Sequence, residues 1–334
     1  MTEFDNQELE YEILVDESES GKDRKWKERK LSNIELAKDL EILGYKVFSR
    51  VYQCAEVMKF KKQHNGRLKL YQTWFCKNKL CPICNWRRAL KHSYQSARII
   101  EEALGLYPNA RFIFLTLTVK NVPGKELNQT LTEMSKAFNR LILRKKFKKN
   151  VLGFLRATEV TYNKRRDDYH PHLHVLLMVR STYFKNKANY ITHQEWTEYW
   201  EKSAKLGYTP IVNVKAVKPR DNSEDGDIAL KKAILETAKY PVKPFDIDVD
   251  KHGNKTKLSK KQKLKVTDEM AKGLYRKRQI AYGGLFKELK KKLGLDDVED
   301  GDLVNTSDDE KISESAIDVI AQWDWQRKNY FIKN

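Results

Sequence analysis

Residues 170–179 read HPHLHVLLMV, and this segment restricts the fold more than any other in the chain. Histidines at alternate positions run directly into an unbroken apolar stretch. A strand sends successive side chains to opposite faces, so His172 and His174 project the same way, about 7 Å apart along the backbone, while Leu173 anchors the other face. Such a strand needs neighbours to pair with. Two β-rich segments upstream supply them, ARFIFLTLTV (110–119) and residues 152–162. The polar loop NKRRDDYH joins the second of these to the histidine strand, so those two pair antiparallel.

Helical periodicity fills the intervals. LSNIELAKDLEILGYK (31–46) sets Leu36, Leu40 and Leu43 on one face with Ser32 as N-cap, and Pro82 opens a helix to about Ala103. Further helices are predicted over 125–145, 193–205 and 227–240, with a strand at 210–217 and helical signal near 267–278 and 283–293. This order predicts an α+β fold in which helices cover one face of a central antiparallel sheet, with a small cysteine-rich module and a helical C-terminal region. The expected divisions are an acidic tail (1–20), a basic helical segment (21–50), the cysteine module and its helix (51–105), the sheet domain (106–245), a basic helical region (246–293), and an acidic linker with a C-terminal segment (294–334).

Charge narrows the partner. The formal net charge is +19, yet residues 1–20 and 294–310 each hold eight acids and no base, which leaves 61 bases against 27 acids in residues 21–293. A body this basic points to nucleic acid, because each phosphate contact releases condensed counterions. The basic runs recur in KDRKWKERK (22–30), RKKFKK (144–149) and KLSKKQKLK (257–265). Lys145, Lys146 and Lys148 are candidate DNA contacts. No apolar run approaches the roughly 20 residues that cross a bilayer, and no signal peptide is read, so a cytoplasmic protein without membrane contact is expected.

In a reducing compartment the four cysteines favour metal over disulfides. Cys76, Cys81 and Cys84 form a compact cluster, with Cys54 upstream; four thiolates make a closed zinc site, though His64 or His92 could replace Cys54. Around them WFCKNKLCPICNWRR interleaves aromatic and basic residues, which makes Trp86, Arg87 and Arg88 candidates for stacking and phosphate contact. The aligned imidazoles of His172 and His174 can chelate a cation, and Glu159 is the only carboxylate on the neighbouring strand RATEVTYN. His170, before Pro171, is a ligand, a DNA contact or neither. In AILETAKYPVKP (233–244), Glu236 and Tyr240 share a helical face, and Pro241 puts the phenol at or just past the helix end. A phenol can attack a phosphodiester when a metal polarises the phosphate.

Taken together, FLTLTV, HPHLHVLL and E-x-x-x-Y-x-x-K, the last some 66 residues after the histidines, resemble the replication initiators of rolling-circle plasmids from Gram-positive bacteria. These belong to the HUH endonuclease superfamily, and the Glu236–Tyr240 pair matches its single-tyrosine branch with an assisting glutamate. The resemblance implies that the chain binds its plasmid's double-strand origin and that Tyr240 nicks one strand at an extruded hairpin. The tyrosine would keep the 5′ phosphate and leave a 3′ hydroxyl primer. It further implies that Glu236 activates water for a terminating cleavage, that Lys243 steadies the phosphate or the phenolate, and that His172 and His174 hold Mg or Mn. A host helicase and DNA polymerase would be partners, and a homodimer would suit an inverted-repeat origin. The rival expectations are a transposase of the same superfamily, a zinc-dependent DNA-binding regulator, and a metal-dependent hydrolase forming no covalent intermediate.

Overall fold

The computed structural model describes residues 12–18, 20–217, 258–306 and 316–333. In chain order its elements begin with α1 (Trp26–Ile42), α2 (Phe48–Tyr52), β1 (Val57–Lys62), β2 (Leu68–Thr73), α3 (Pro82–Leu106) and β3 (Arg111–Thr118). Next come α4 (Gly124–Leu141), α5 (Lys145–Asn150), β4 (Val151–Asn163), β5 (Asp168–Val179), α6 (His193–Ala204) and β6 (Val212–Ala216). The last described elements are α7 (Lys260–Gly273), β7 (Ile280–Gly284), α8 (Leu285–Lys292), β8 (Ile317–Asp324) and β9 (Asn329–Lys333). Two compact units result: residues 1–84 with 307–334, and residues 85–306.

In the larger unit five strands form one antiparallel sheet in the order β6-β3-β5-β4-β7. The apolar run after the histidines puts β5 at its centre, because both faces of that strand are buried. Leu173, Val175, Leu177 and Val179 pack against Met134 and Phe138 of α4 and Trp196 and Trp200 of α6. Leu176 and Met178 point the other way, onto Ile99, Ile100 and Ala103 of α3 and Phe286 and Leu289 of α8. Helices therefore cover both faces, which corrects the expectation of one. A strand buried on both sides reads as continuous rather than alternating apolar sequence, and VLLMV carried that signal. Two capping boxes start their helices sharply, Thr192 with Glu195 on α6 and Ser259 with Gln262 on α7.

The smaller unit holds a second antiparallel sheet, β2-β1-β8-β9. Its aromatic core includes Trp26, Phe60, Trp323 and Tyr330. The C-terminal region is helical only in part: helices α7 and α8 follow residue 258, near the helical signal expected at 267–278 and 283–293, but residues 317–333 are a β-hairpin. Helix α1 also differs from its expected span. It begins at Trp26 after Lys25 in a left-handed conformation, and Ser32 does not cap it but donates to the carbonyl of Glu28 inside the helix. The predicted helix over 227–240 lies outside the described residues.

Gly284 lets β7 turn at once into α8, which closes the sheet face over β5. Its φ is +55°, and an added Cβ would sit 2.5 Å from the carbonyl oxygen of Leu152. Gly284→Ala is expected to destabilise the chain by more than about 1 kcal/mol in denaturant unfolding, since neither the backbone angle nor the contact can relax cheaply.

Candidate active site and metal centres

Strand register assembles the first centre. On β5, Glu159 of β4 lies directly opposite His172, and Thr118 and Thr116 of β3 lie opposite His172 and His174. Directly opposed residues share a face. All three donor side chains are buried, at 6%, 9% and 5% exposure for Glu159, His172 and His174. Glu159 Oε2 lies 2.9 Å from the Nε2 of each imidazole. Burial alone would raise the Glu159 carboxyl, but hydrogen bonds from His172 and His174 outweigh it and hold the group down at about 2.

The outer nitrogens are also oriented. His172 Nδ1 is 3.1 Å from the carbonyl oxygen of His170, an acceptor that only an Nδ1–H can satisfy. His174 Nδ1 is 3.3 Å from the hydroxyl of Thr116. Partners on Nδ1 aim both Nε2 atoms at the position of the Glu159 oxygen, the arrangement that metal-binding histidines use. These three donors lie within 4.8 Å of one another. Two imidazoles and a carboxylate converging from rigid strands fit a divalent first-row ion such as Mn better than Mg, which favours oxygen donors. His170 is not in this set. Its ring stands beside that of His172, with centroids 5.2 Å apart, and burial and the neighbouring His172 lower its basicity.

The second centre is the cysteine cluster in the smaller unit. Cys54, Cys76, Cys81 and Cys84 are all buried with free thiols. Their sulfurs approach at 3.6 Å (Cys54–Cys84), 3.6 Å (Cys76–Cys84) and 3.8 Å (Cys54–Cys81). Four sulfurs held about 2.3 Å from a central zinc form a tetrahedron with edges of about 3.8 Å, so the cluster already has the dimensions of that site. Ala55 and Lys77, each just after a cysteine, take left-handed backbone conformations that turn the chain around the sulfurs. Cys54 completes the set: His64 is exposed in the β1–β2 turn, and His92 belongs to the other unit beside Tyr282.

Two residues that the motif reading missed line this cluster. Lys30 of α1 has no exposed surface, and its Nζ donates to the carbonyls of Tyr52 and Cys54, each at 2.8 Å. Burial lowers its pKa to about 8, opposed by the negative forms of Cys54, Glu56, Cys81 and Cys76. Asn33, also fully buried, accepts from Cys81 Sγ at 2.9 Å. Burial drives the Cys54 and Cys81 thiols well above their ordinary values, so a bound cation would have to displace their protons.

The remaining candidates are dispersed. Arg87 and Arg88 are 3% exposed and donate to the carbonyls of Leu303, Val304 and Glu299, while Lys91 pairs with Asp296. Residues 296–304 of the acidic stretch expected as a linker thus pack onto α3. Trp86 is half-buried beside Arg87. Lys145 and Lys148 are exposed on α5, whereas Lys146 pairs with Glu195. Glu236, Tyr240 and Lys243 lie outside the described residues. No helix among the described residues is long and apolar enough to cross a membrane.

Fold and donors thus define an α+β protein with, among the described residues, two sets of converging side chains that could hold a metal ion. The chain matches the family model described as "Replication protein" over residues 67–331. It is 48% identical over 337 residues to "Protein rep" of Streptococcus pneumoniae serotype 2 (strain D39 / NCTC 7466), covering 100% of this chain and 99% of that one. It is 46% identical over 321 residues to "Protein rep" of Lentilactobacillus hilgardii, covering 96% and 98%. A "Replication protein" of Staphylococcus aureus is 47% identical over 245 residues, 73% of this chain and 100% of that protein. No solved structure matches. The chain belongs to this replication-protein family, the plasmid Rep initiators that its motifs resemble.

Purified chain is expected to carry one zinc per molecule by elemental analysis, lost in Cys84→Ser. A zinc-free parent would show that the thiols are structural without metal, and a full zinc complement in the variant would remove Cys84 from the ligand set. At the other centre, His174→Ala should abolish Mn binding, and Thr116→Val should weaken it about 10- to 100-fold in titration calorimetry, the usual cost of removing an orienting partner.

Proposed function

We propose that the chain is a rolling-circle replication initiator of the HUH type, which nicks one strand of its plasmid's double-strand origin through a covalent phosphotyrosine. The observation that carries this reading is the convergence of Glu159, His172 and His174 on one sheet face in a chain of the replication-protein family. Glu159, His172 and His174 hold a divalent ion, Mn or Mg. Bound there, the ion supplies Lewis-acid polarisation of a phosphate oxygen. The cysteines Cys54, Cys76, Cys81 and Cys84 hold a structural zinc.

The Tyr240 phenol gives up its proton as its oxygen attacks the scissile phosphorus, forming the O–P bond as the bond to the 3′ oxygen breaks. The proton lost by the phenol balances the one the 3′ oxygen gains. That oxygen leaves as a hydroxyl after taking up a proton, and serves as primer for a host DNA polymerase behind a host helicase. The phosphate stays on Tyr240, so the energy of the diester is kept. For the second cleavage Glu236 takes a proton from water, whose oxygen bonds to the phosphorus of the regenerated site as the bond to its 3′ oxygen breaks. The freed 3′ hydroxyl then attacks the phosphotyrosine, which closes the circle and returns the Tyr240 phenol, while Lys243 neutralises charge near it. The support for these three roles is the spacing E-x-x-x-Y-x-x-K in residues 236–243. Lys145 and Lys148 contact phosphates, and a dimer would match an inverted repeat.

The test is incubation with supercoiled plasmid bearing the chain's own origin, with Mn or Mg. A covalent 5′-DNA adduct that disappears in Tyr240→Phe is expected, and nicking that persists in Tyr240→Phe would instead favour a hydrolase with no covalent step. His174→Ala should slow nicking by about 100-fold or more, since polarisation of the phosphate supplies several kcal/mol. Glu236→Ala should form the adduct yet fail to release closed circles after one round; complete loss of nicking in that variant would remove Glu236 from the termination role.

A further inference from the structure

The β1–β2 hairpin is the most uniformly basic exposed element of the smaller unit. Residues 57–73 hold Lys59, Lys61, Lys62, Arg67 and Lys69 and no acid. Met58, Phe60, Leu68 and Leu70 are buried, so Lys59, Lys61 and Lys69 stand on the outer face of the sheet. Lys61 lies directly opposite Lys69. Like charges directly opposed across a ladder are destabilising, and Lys61 is offset by Asp318 at 2.9 Å and by the Tyr71 ring, whose centroid is 5.4 Å from its Nζ. Lysines on an edge strand often guard against aggregation. That does not account for Lys59 and Lys61, because β1 is paired on both sides, to β2 and to β8.

The turn is a different kind of surface. Gln63, His64, Asn65, Gly66 and Arg67 form a tight loop closed by Gln63 N–H donating to Arg67 O at 2.8 Å, with Gly66 at φ +80°. His64, Asn65 and Arg67 are exposed. Amide, imidazole and guanidinium groups are those that pair with base edges, Arg with guanine and Asn or Gln with adenine. The turn has no aromatic ring, so it offers hydrogen-bond readout rather than the stacking platform that single strands use. Two strands about 4.8 Å apart fit a major groove about 12 Å wide.

We propose that the β1–β2 hairpin reads duplex DNA, with Asn65 and Arg67 on base edges in the major groove and Lys59, Lys61, Lys62 and Lys69 on the flanking phosphates. This rests on the reading of the chain as an origin-binding protein and names the element that does the binding. Duplex RNA should compete poorly, because its deep, narrow major groove excludes such an element.

The experiment selects binders from a pool of randomised DNA duplexes of about 30 base pairs, using full-length protein with zinc and a thermal melt of each variant. The parent is expected to enrich one motif. Arg67→Lys keeps the charge but loses the planar fork; it should bind random duplex as the parent does while preferring the motif about 5- to 150-fold less, as should Asn65→Ala. Lys61→Ala and Lys62→Ala should weaken binding to every duplex and each reduce the slope of log affinity against log salt by about 0.9. Unchanged motif preference in Arg67→Lys and Asn65→Ala, or unchanged salt slopes in the lysine variants, overturns the proposal. A parent that enriches no motif overturns it as well, even where the Tyr240 adduct forms; a missing adduct with a hairpin-dependent motif sinks only the nicking reading.

Discussion

One register holds the larger unit together: Glu159 opposite His172 on the β4–β5 ladder. Side chains alternate with period two, so a slip of one residue would send His172 and His174 into the face occupied by Trp196 and Trp200 and turn Leu173 and Val175 toward Glu159. Each of those exchanges buries an unpaired polar group or exposes apolar surface, at a cost of a few kcal/mol apiece. The donor set and the core therefore specify the same pairing. Precision at the centre comes from that agreement, because three donors on strands buried on both faces have little freedom to drift.

The smaller unit solves a different problem. Its apolar core is small, and buried positions of α1 that a larger core would fill with leucine hold Lys30 and Asn33 instead. Both side chains are bound to the chain around the cysteines, Lys30 to two carbonyls and Asn33 to Val51 and Cys81. A tetrathiolate with zinc carries a formal charge of about −2, and a buried ammonium beside it offsets part of that without an exposed counterion. The helix, the cysteine loops and the terminal hairpin, where Tyr330 donates to the carbonyl of Ala55, then depend on one another.

These polar core positions explain where the sequence was opaque. The buried residues of α1 are Trp26, Lys30, Asn33, Ala37, Asp39 and Leu40, three of them polar, so the leucine periodicity through Leu36, Leu40 and Leu43 caught only Leu40 of the buried set. Strands β1, β2, β7, β8 and β9 are short and interrupted by lysine, glycine or acids, and although β1–β2 and β8–β9 are local hairpins, β7 pairs with the distant β4 and β1 with β8 across more than two hundred residues. Local pattern cannot signal such pairing. By contrast β3, β4, β5, β6, α3, α4 and α6 were legible, because apolar runs, a proline start and a capping box act locally. Glu159 was legible for a stronger reason: once the two strands are antiparallel neighbours, it is the only carboxylate that can meet the histidines.

Charge was legible in total and not in place. Arg87, Arg88 and Lys91 sit in a run that reads as a basic DNA-facing helix, but they are turned onto residues 296–304, whose carbonyls and carboxylates they bind. Glu299 meanwhile accepts from the backbone of Gln279 and Ile280, the start of β7. An acidic segment that reads as a solvated linker is thus a strap between α3 and the edge of the sheet. Exposed positive charge lies elsewhere, among other places on Lys145 and Lys148 of α5 and on the β1–β2 hairpin, where lysines alternate with buried apolar residues. Net charge identifies the class of partner because every phosphate contact counts equally toward counterion release. Which cations make those contacts depends on what else the fold has already paired them with.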